Sequence, residues 1–356
     1  MAKQRTLIVT GDINLMAVTD PAVPFAKIGP TLRRADAVLS NLECCFYDPP
    51  DGRHSQEAPD GLGSRSGLRE GFYAPTHMIE ALHDAGVKMV GNANNCNYGD
   101  DAIASSLEVL KSAGIPSTGA GLNKAAAFKP AVIDVDGLKV GMIQRTCVYW
   151  PNNHEASKTR PGVAALKVHT AYSPRIDEYA ASRPGTPPTV HTFVDPDYKA
   201  EFIKQVKALK KVCDVAVVSI HWGYKLEVLN YMTELAHAAI DNGADLVMGH
   251  GPHHCLPFEV YKGAPIYYGL SSFSFDHGHR GRRHGDWIGM FGRLTLTGKK
   301  FTKASFSLVR HNAKNETYQT PLKKEQEELE HLRAFSKPFG TELKVKGEQV
   351  FFLDKK

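Results

Sequence analysis

Short runs rich in β-branched residues alternate with segments of helical periodicity, and this alternation constrains the fold more than any other feature of the sequence. The predicted strands are residues 6–10, 37–40, 87–91, 131–135, 139–143, 214–220, 245–249 and 266–270. The clearest predicted helices are residues 76–85, 101–113, 198–211 and 233–242. Strands that alternate with helices indicate an α/β fold.

The C-terminal part of the chain follows a different pattern. Residues 287–297 and 304–309 have no helix between them and predict an antiparallel hairpin, followed by a charged helix over 323–335. We therefore expect one catalytic domain over residues 1–320, with a C-terminal helix and tail over 321–356 packed on it. Two irregular stretches, 48–71 and 151–193 with its six prolines, are predicted to be lids over a substrate.

The composition excludes several classes of protein. With 42% apolar and 23% charged residues the chain is typical of a soluble globular protein, and no apolar run reaches the roughly 18 residues of a membrane span. The start lacks a secretory signal, so we expect a cytoplasmic protein with no membrane contact. A net charge of +5 without a nucleic-acid-binding motif predicts no nucleic-acid partner. Six cysteines without CxxC spacing indicate reduced thiols.

Polar residues fall where five of the predicted strands end. Ligands of an α/β sheet bind beyond the carboxyl ends of its strands, so these residues are expected to meet at one edge. Carboxylates and imidazoles together suit a divalent ion such as Mn²⁺, Zn²⁺ or Fe²⁺. The candidate ligands for one or two such ions are Asp12, Glu43, Asn95, His221, His250 and His253.

Each candidate also has a simpler interpretation. Asp12 after Gly11 is typical of a turn or a helix N-cap, and Asn94-Asn95 of a turn. His253 is compatible with a surface loop, and several of the 16 histidines must be bystanders. The metal site is favoured because five strand ends carry the pattern together.

The sequence resembles the CapA (poly-γ-glutamate synthesis protein) family, in blocks that occur in the family's order over residues 6–297. The blocks are Gly11-Asp12, Asn41-Leu42-Glu43, Ala93-Asn94-Asn95, His221-Trp222-Gly223, and residues 242–253, 259–263 and 266–270. The resemblance implies a calcineurin-like metallophosphoesterase fold, with two facing β-sheets flanked by helices. It also implies a dinuclear centre held by the six candidates, with Glu43 as a bridge between the ions.

Three positions depart from the pattern of the family or its relatives. Cys96 stands where the family has a histidine, Asn14 where metallophosphoesterases have a metal-binding histidine, and Gly251 where the family has another histidine. Cys96 is interpreted either as a small buried residue that fills space or as a catalytic thiol. His277 and His279 are the other candidates for proton transfer.

Several residues are expected to contact substrate: Asn14, Asn41, Asn94, Trp222 and Arg280. Arg280 lies in a basic segment that would attract an anionic substrate, although a solvated basic loop explains it equally well.

The leading hypothesis is a hydrolase that uses metal-activated water on an amide or ester bond of an acidic small molecule or peptide. The alternatives are a metal-dependent peptide or amino-acid epimerase, a phosphoesterase, and a non-catalytic binding protein. The oligomeric state stays open.

Overall fold

The computed structural model describes residues 3–50, 52, 55–57, 70–151, 154–278 and 282–355. The strands in this part of the chain are β1 Gln4–Asn14, β2 Ala37–Leu42, β3 Cys45–Phe46, β4 Ser55–Glu57, β5 Glu70–Ala74, β6 Val87–Gly91, β7 Ser117–Thr118, β8 Ala120–Gly121, β9 Ala131–Val135, β10 Leu138–Thr146, β11 Gly162–Val163, β12 Val168–Ser173, β13 Thr189–Val194, β14 Val215–His221, β15 Leu246–His250, β16 Phe258–Tyr261, β17 Ala264–Tyr267, β18 Ser272–Phe275, β19 Gly289–Thr297, β20 Lys300–His311, β21 Thr317–Gln319, β22 Lys344–Lys346 and β23 Gln349–Asp354. The α-helices are α1 Gly29–Leu32, α2 Ile79–Asp84, α3 Asp100–Ser112, α4 Lys124–Ala127, α5 Glu178–Ser182, α6 Pro196–Val212, α7 Asn230–Asp241 and α8 Gln326–Ser336.

Two large sheets form the centre of the molecule. The first has the order β22-β23-β20-β19-β1-β2-β6-β7, with β18 added beside β1 and β21 beside β20. The second has the order β16-β17-β15-β14-β10-β9. The neighbours β1 and β2 run parallel, as do β14 and β15, so the carboxyl ends of each pair lie at the same edge of its sheet.

The side chains of β14 show how the sequence produces the layers. Val215 and Val217 belong to the same buried cluster as Leu7 and Val9 of β1, so this cluster fills the space between the two sheets. The alternate residues Ala216 and Val218 face the other way and pack with residues of α6 and α7. Successive side chains of a strand point to opposite faces, so a continuous apolar run covers both layers.

Helices cover both outer faces. Buried residues of α6 and α7 pack on the second sheet, and buried residues of α1, α2 and α3 pack on the first. The carboxylate of Asp195 begins α6 by accepting hydrogen bonds from the backbone N–H groups of Asp197 and Tyr198. The predicted α/β fold of two facing sheets flanked by helices is confirmed.

The differences from the sequence predictions concern element ends and irregular segments. The strands β1, β2, β14 and β15 extend one to four residues beyond their predicted ends, which brings the candidate site residues onto or next to the strands. The predicted strand over 266–270 is wrong beyond Tyr267, where the chain leaves the sheet before it forms β18. Most of residues 48–71 lie outside the described part.

The segments 151–193 and 321–356 contain more regular structure than predicted. Instead of an irregular lid, the first includes the β12–β13 hairpin with α5 between its strands. The second contributes β22 and β23 to the first sheet, in addition to the predicted helix. Within the described residues, no helix is both long enough and apolar enough to cross a membrane.

Candidate metal centre

Two buried carboxylates lie side by side where β1 and β2 end. The backbone N–H of Asp12 donates to Ser271 O at 2.8 Å, and that of Glu43 donates to Ile13 O at 2.7 Å. Gly11 makes the first contact possible, because a Cβ atom there would lie 2.1 Å from Ser271 O. Both carboxylates are fully buried.

Three histidines reach these carboxylates from the second sheet. His221 and His250 are register partners at the ends of β14 and β15, and His253 lies in the following loop with a left-handed φ of 56°. His250 Nδ1 is 3.0 Å from Asp12 Oδ1, and His253 Nδ1 is 3.3 Å from Asp12 Oδ2. His253 Nε2 and His221 Nε2 lie 3.9 Å and 3.3 Å from Glu43 Oε1.

Thr146 determines which ring nitrogen of His221 carries the proton. Its hydroxyl donates to Val148 O at 2.7 Å, so its oxygen is left to accept from His221 Nδ1 at 3.2 Å. Burial lowers the pKa of His221 to about 4, which keeps the ring neutral. With its proton on Nδ1, His221 presents a lone pair from Nε2 toward Glu43 Oε1. Either a proton on Glu43 or a cation must therefore lie between these two atoms.

The pKa values of the two carboxylates shift in opposite directions. Burial and the negative charge of Asp12 raise the pKa of Glu43 well above its ordinary value. Burial alone would raise the pKa of Asp12 too, but contacts with His250 and His253 bring it well below its ordinary value.

A proton on Glu43 would leave several buried polar atoms without partners. Glu43 Oε2 and His250 Nε2 have no hydrogen-bond partner among the described residues, whereas His250 Nδ1 faces Asp12 Oδ1 at 3.0 Å. Single ligand atoms of Asp12, Glu43 and His253 lie within 4.8 Å of one another. Buried polar groups are almost always satisfied, and this set of carboxylate and imidazole donors fits a divalent cation.

Asn95 lies in the turn that follows β6, next to Cys96, whose thiol contacts Glu43. The turn is held by the side-chain oxygen of Asn94, which accepts from the backbone N–H groups of Cys96 and Asn97 at 3.1 Å each. Asn95 is partly exposed, and its carbonyl accepts from Trp150 Nε1 at 3.0 Å. Its side chain makes no hydrogen bond within the described part of the chain, so its amide oxygen is available to a ligand.

Asn41 and Asn94 form a hydrogen-bonded chain that leads to the ligand Asp12. The amide of Asn41 donates to Asp12 Oδ1 at 2.8 Å and accepts from Asn94 at 3.1 Å and from Gln144 at 2.9 Å. All these side chains are fully buried, and the expected substrate contacts of the two asparagines stay a prediction. Gln144 of β10, which no sequence pattern singled out, links the two sheets through its bond to Asn41 of β2, and it also donates to Ser219 Oγ of its own sheet at 3.0 Å.

Trp222 is also a structural residue. Its side chain is fully buried, its Nε1 donates to Tyr268 O at 2.8 Å, and the two rings stack with centroids 6.0 Å apart. No part of the ring reaches the surface, and its contact with substrate stays a prediction.

The three departures from the family pattern have local explanations. Asn14 Oδ1 accepts a hydrogen bond from Met16 N at 2.8 Å. The other polar atom of this side chain, the donor Nδ2, has no hydrogen-bond partner among the described residues. Gly251 has a φ of 114°, and a Cβ there would lie 2.6 Å from Trp222 O, so a histidine is excluded. Its N–H lies 3.4 Å from Asp12 Oδ2.

Cys96 is buried beside a ligand. Its thiol donates to Glu43 Oε1 at 3.6 Å, and burial together with the charge of Glu43 raises the pKa of Cys96 well above its ordinary value. The thiol therefore stays protonated, which favours the space-filling interpretation over a catalytic thiol.

The segment after β18 brings an unexpected histidine to the site. His277 pairs with Asp276 at 2.9 Å, whereas His279 and Arg280 lie outside the described residues. His284 packs against the ligand His253, with ring centroids 4.9 Å apart. Burial and the charge of His253 lower the pKa of His284 to about 4. No spacing rule in the sequence singles out His284, because only the return of the chain toward β19 places it there.

Comparisons with known proteins identify the family to which this chain is similar. Residues 6–277 match the family described as bacterial capsule synthesis protein PGA_cap. The capsule biosynthesis protein CapA of Bacillus anthracis is 26% identical over 259 residues, which cover 71% of this chain and 54% of that protein. A probable polyglutamine synthesis accessory protein of Mycobacterium tuberculosis is 31% identical over 192 residues, covering 52% and 44%. A Sinorhizobium fredii protein is 24% identical over 311 residues, covering 76% and 66%.

The match to these curated relatives is partial in length. Across the three, it spans between 44% and 66% of the relative. Among solved structures, a phosphatase from Mycoplasma pneumoniae has a TM-score of 0.46 and 12% identity, with 87% of this chain and 95% of that chain covered.

Proposed function

The chain belongs to the bacterial capsule synthesis protein family, and we propose that it is a metal-dependent hydrolase of an amide or ester bond in an acidic small molecule or peptide. The observation that carries the proposal is the contact between His221 Nε2 and Glu43 Oε1 at 3.3 Å. Because Thr146 holds the proton of His221 on Nδ1, an ionised Glu43 would face His221 as a second acceptor, and a cation held here would satisfy both atoms. Divalent metal ions are the natural occupants of such a site.

The ligand set in this proposal consists of Asp12, Glu43, Asn95, His221, His250 and His253. A divalent ion held there supplies Lewis acidity, which polarises an acyl carbonyl and makes an attacking water more acidic. The protein's own groups keep the ligands in place: Asn41 holds Asp12, and Cys96 donates to Glu43. The buried surroundings exclude bulk water and strengthen these polar contacts.

The position of Cys96 argues against this thiol as the proton-transfer group of either reaction. Epimerisation requires two side chains that exchange a proton on opposite faces of one α-carbon. Cys96 was a candidate for such a transfer, but its thiol is fully buried and donates to Glu43. It is therefore poorly suited to accept a proton from a substrate.

Elemental analysis of the purified protein tests the metal requirement. We expect one or two equivalents of manganese, zinc or iron, and a large loss of bound metal in Glu43→Gln. Glu327→Gln is the matched control, because Glu327 is an exposed residue of α8 and should leave the metal content unchanged. A wild-type protein that binds no divalent metal, even after reconstitution, would favour the non-catalytic alternative.

The reaction is tested with acidic peptides and esters in deuterated water. Hydrolysis predicts cleaved products whose α-carbons carry no deuterium. Deuterium uptake without cleavage would identify an epimerase instead. Turnover of bis-p-nitrophenyl phosphate faster than that of any acyl substrate would identify a phosphoesterase.

A further inference from the structure

A pocket of about 190 Å³ lies between Arg145 of β10 and one side of α6. Arg145 points away from the metal centre, because successive side chains of a strand face opposite sides and its neighbours Gln144 and Thr146 both contact that centre. The residues of α6 that line the pocket are Asp197, Tyr198, Glu201, Phe202 and Gln205. The pocket is therefore separate from the metal centre.

Arg145 brings a buried positive charge to this pocket. The residue is 1% exposed, and it forms no ion pair with any carboxylate of the described residues. Burial lowers the pKa of Arg145 to about 9, and the charge of Glu201 offsets this effect in part. A buried charge without a counter-ion costs free energy, so an anionic group in the pocket would be stabilised.

The guanidinium of Arg145 also has a donor left over. Two of its N–H groups donate to Gln205 Oε1 at 2.8 Å and 2.6 Å, one to Phe128 O at 3.3 Å and one to Gln144 O at 2.6 Å. A guanidinium has five N–H donors, so one N–H of Nη1 has no partner within the described part of the chain. The Cζ atom lies 4.6 Å from the centroid of the Phe128 ring, which holds the group in place. Arg145 thus offers a fixed donor and a full charge to a carboxylate.

Glu201 offers the opposite charge one helical turn away. It is exposed and lies four residues before Gln205, the partner of Arg145, so their Cβ atoms are roughly 6 Å apart on the same side of α6. Glu201 Oε1 accepts from Gln205 Nε2 at 3.1 Å, and Lys204 lies 3.7 Å from Oε2. An ionised carboxylate has roughly four acceptor positions, so Glu201 can still accept from an ammonium group.

The remaining lining selects for a ligand with both charges and an apolar body. Two cations and two carboxylates line the pocket, namely Lys124, Arg145, Asp197 and Glu201. This balance disfavours a ligand that carries a single charge. Most of the other lining residues are apolar: Phe128, Ala165, Leu166 and Phe202. The pocket is somewhat larger than the cavity of roughly 150 Å³ that holds benzene in an engineered protein core, so it has room for a branched or aromatic side chain.

We propose that this pocket binds a free amino acid with an apolar side chain, whose carboxylate meets Arg145 and whose ammonium group meets Glu201. The apolar side chain lies against Phe128 and Leu166. A free acidic amino acid does not fit, because its second carboxylate would be buried against this apolar wall. The inference goes beyond the proposed hydrolase function, since the pocket lies on the opposite face of β10 from the metal centre.

Isothermal titration calorimetry of the full chain with L-leucine tests the proposal. We expect 4-methylpentanoate, which lacks the ammonium group, and 3-methylbutylamine, which lacks the carboxylate, to bind at least about tenfold more weakly, because each leaves one charged group of the pocket unpaired. L-glutamate should also bind more weakly than L-leucine. An analogue or L-glutamate that binds as tightly as L-leucine would overturn the assignment, and so would the absence of binding by both L-leucine and L-phenylalanine.

The variant Glu201→Gln tests the ammonium contact in a folded protein, because this side chain is exposed. L-leucine should bind about tenfold more weakly, whereas the binding of 4-methylpentanoate should not weaken. The matched control is Glu330→Gln. Glu330 is also an exposed helical glutamate with an ion pair three residues along, to Arg333, as Glu201 has to Lys204. Equal weakening of L-leucine binding in the two variants, or none in Glu201→Gln, would contradict the proposal.

Two further measurements separate this pocket from the metal centre. Arg145→Gln should abolish L-leucine binding, and urea unfolding of the same variant shows whether it folds; a folded variant that binds L-leucine normally would overturn the proposal. The affinity for L-leucine should be the same with and without added Mn²⁺. Binding that requires the metal would place the amino acid at the metal centre and refute the separate site.

Discussion

Substitution of Thr146 tests the metal centre most specifically, because the Thr146 hydroxyl determines which nitrogen of His221 carries the proton. The substitution Thr146→Val keeps the branched shape of the side chain and removes this oxygen. Three contacts are lost: those to Val148 O at 2.7 Å, Val148 N at 3.1 Å and His221 Nδ1 at 3.2 Å. His221 is then free to place its proton on Nε2, the atom that faces Glu43.

The expected loss of metal affinity follows from this change. Removing the hydrogen-bond partner of a metal-binding histidine lowers affinity by roughly 10- to 100-fold, which corresponds to about 1.4–2.8 kcal/mol. The free energy of unfolding should fall by about 1–3 kcal/mol as well, since buried polar groups lose their partner. Competition with a fluorescent zinc chelator measures the affinity, and urea unfolding measures the stability.

Thr317→Val separates the two effects. Thr317 is fully buried, and its hydroxyl donates to Phe273 O instead of to a candidate ligand. We expect a similar loss of stability with unchanged metal affinity. Unchanged zinc affinity in Thr146→Val would refute the argument that Thr146 sets the state of His221 for metal binding.

Three further changes test other parts of the account. Gly11→Ala should destabilise the fold by about 3 kcal/mol or more, because the added Cβ meets a backbone oxygen at 2.1 Å; a loss below about 0.5 kcal/mol in urea unfolding would contradict this. Cys96→Ala should keep its metal and most of its turnover, whereas a fall in turnover of about 10²-fold with metal retained would show that the thiol transfers a proton. Burial lowers the pKa of His154 to about 4. The unfolded chain, with a histidine pKa of about 6.5, then binds the proton first on acidification, so stability should fall between pH 6.5 and 4 by up to about 3 kcal/mol. His154→Gln should show a flatter pH profile of unfolding, and an equally steep profile would contradict the assignment.

Much of the fold and of the site could be predicted from local patterns in the sequence. Continuous β-branched runs such as β14 are typical of strands buried on both faces, and the structure has them there. Polar residues directly after such runs come together because the carboxyl ends of parallel strands share an edge. Asp12, Glu43 and His253 therefore meet although they are far apart in the sequence.

The roles of neighbouring polar residues depended on long-range contacts that no local pattern contains. Asn41 and Asn94 were expected to face a substrate, yet they bond to Asp12 and to each other because the strand ends are packed under the second sheet. Gln144 and His284 join the site from distant segments for the same reason. Burial and partner identity decide between a positioning residue and a binding residue, and both depend on how the two sheets are stacked.

Anomalous diffraction from crystals grown with Mn²⁺ tests the central claim most directly. We expect one strong manganese peak, or two close together, among the side chains of Asp12, Glu43, His221 and His253. Crystals that diffract well and show no anomalous peak among these side chains, with Glu43 hydrogen-bonded directly to His221, would contradict the account.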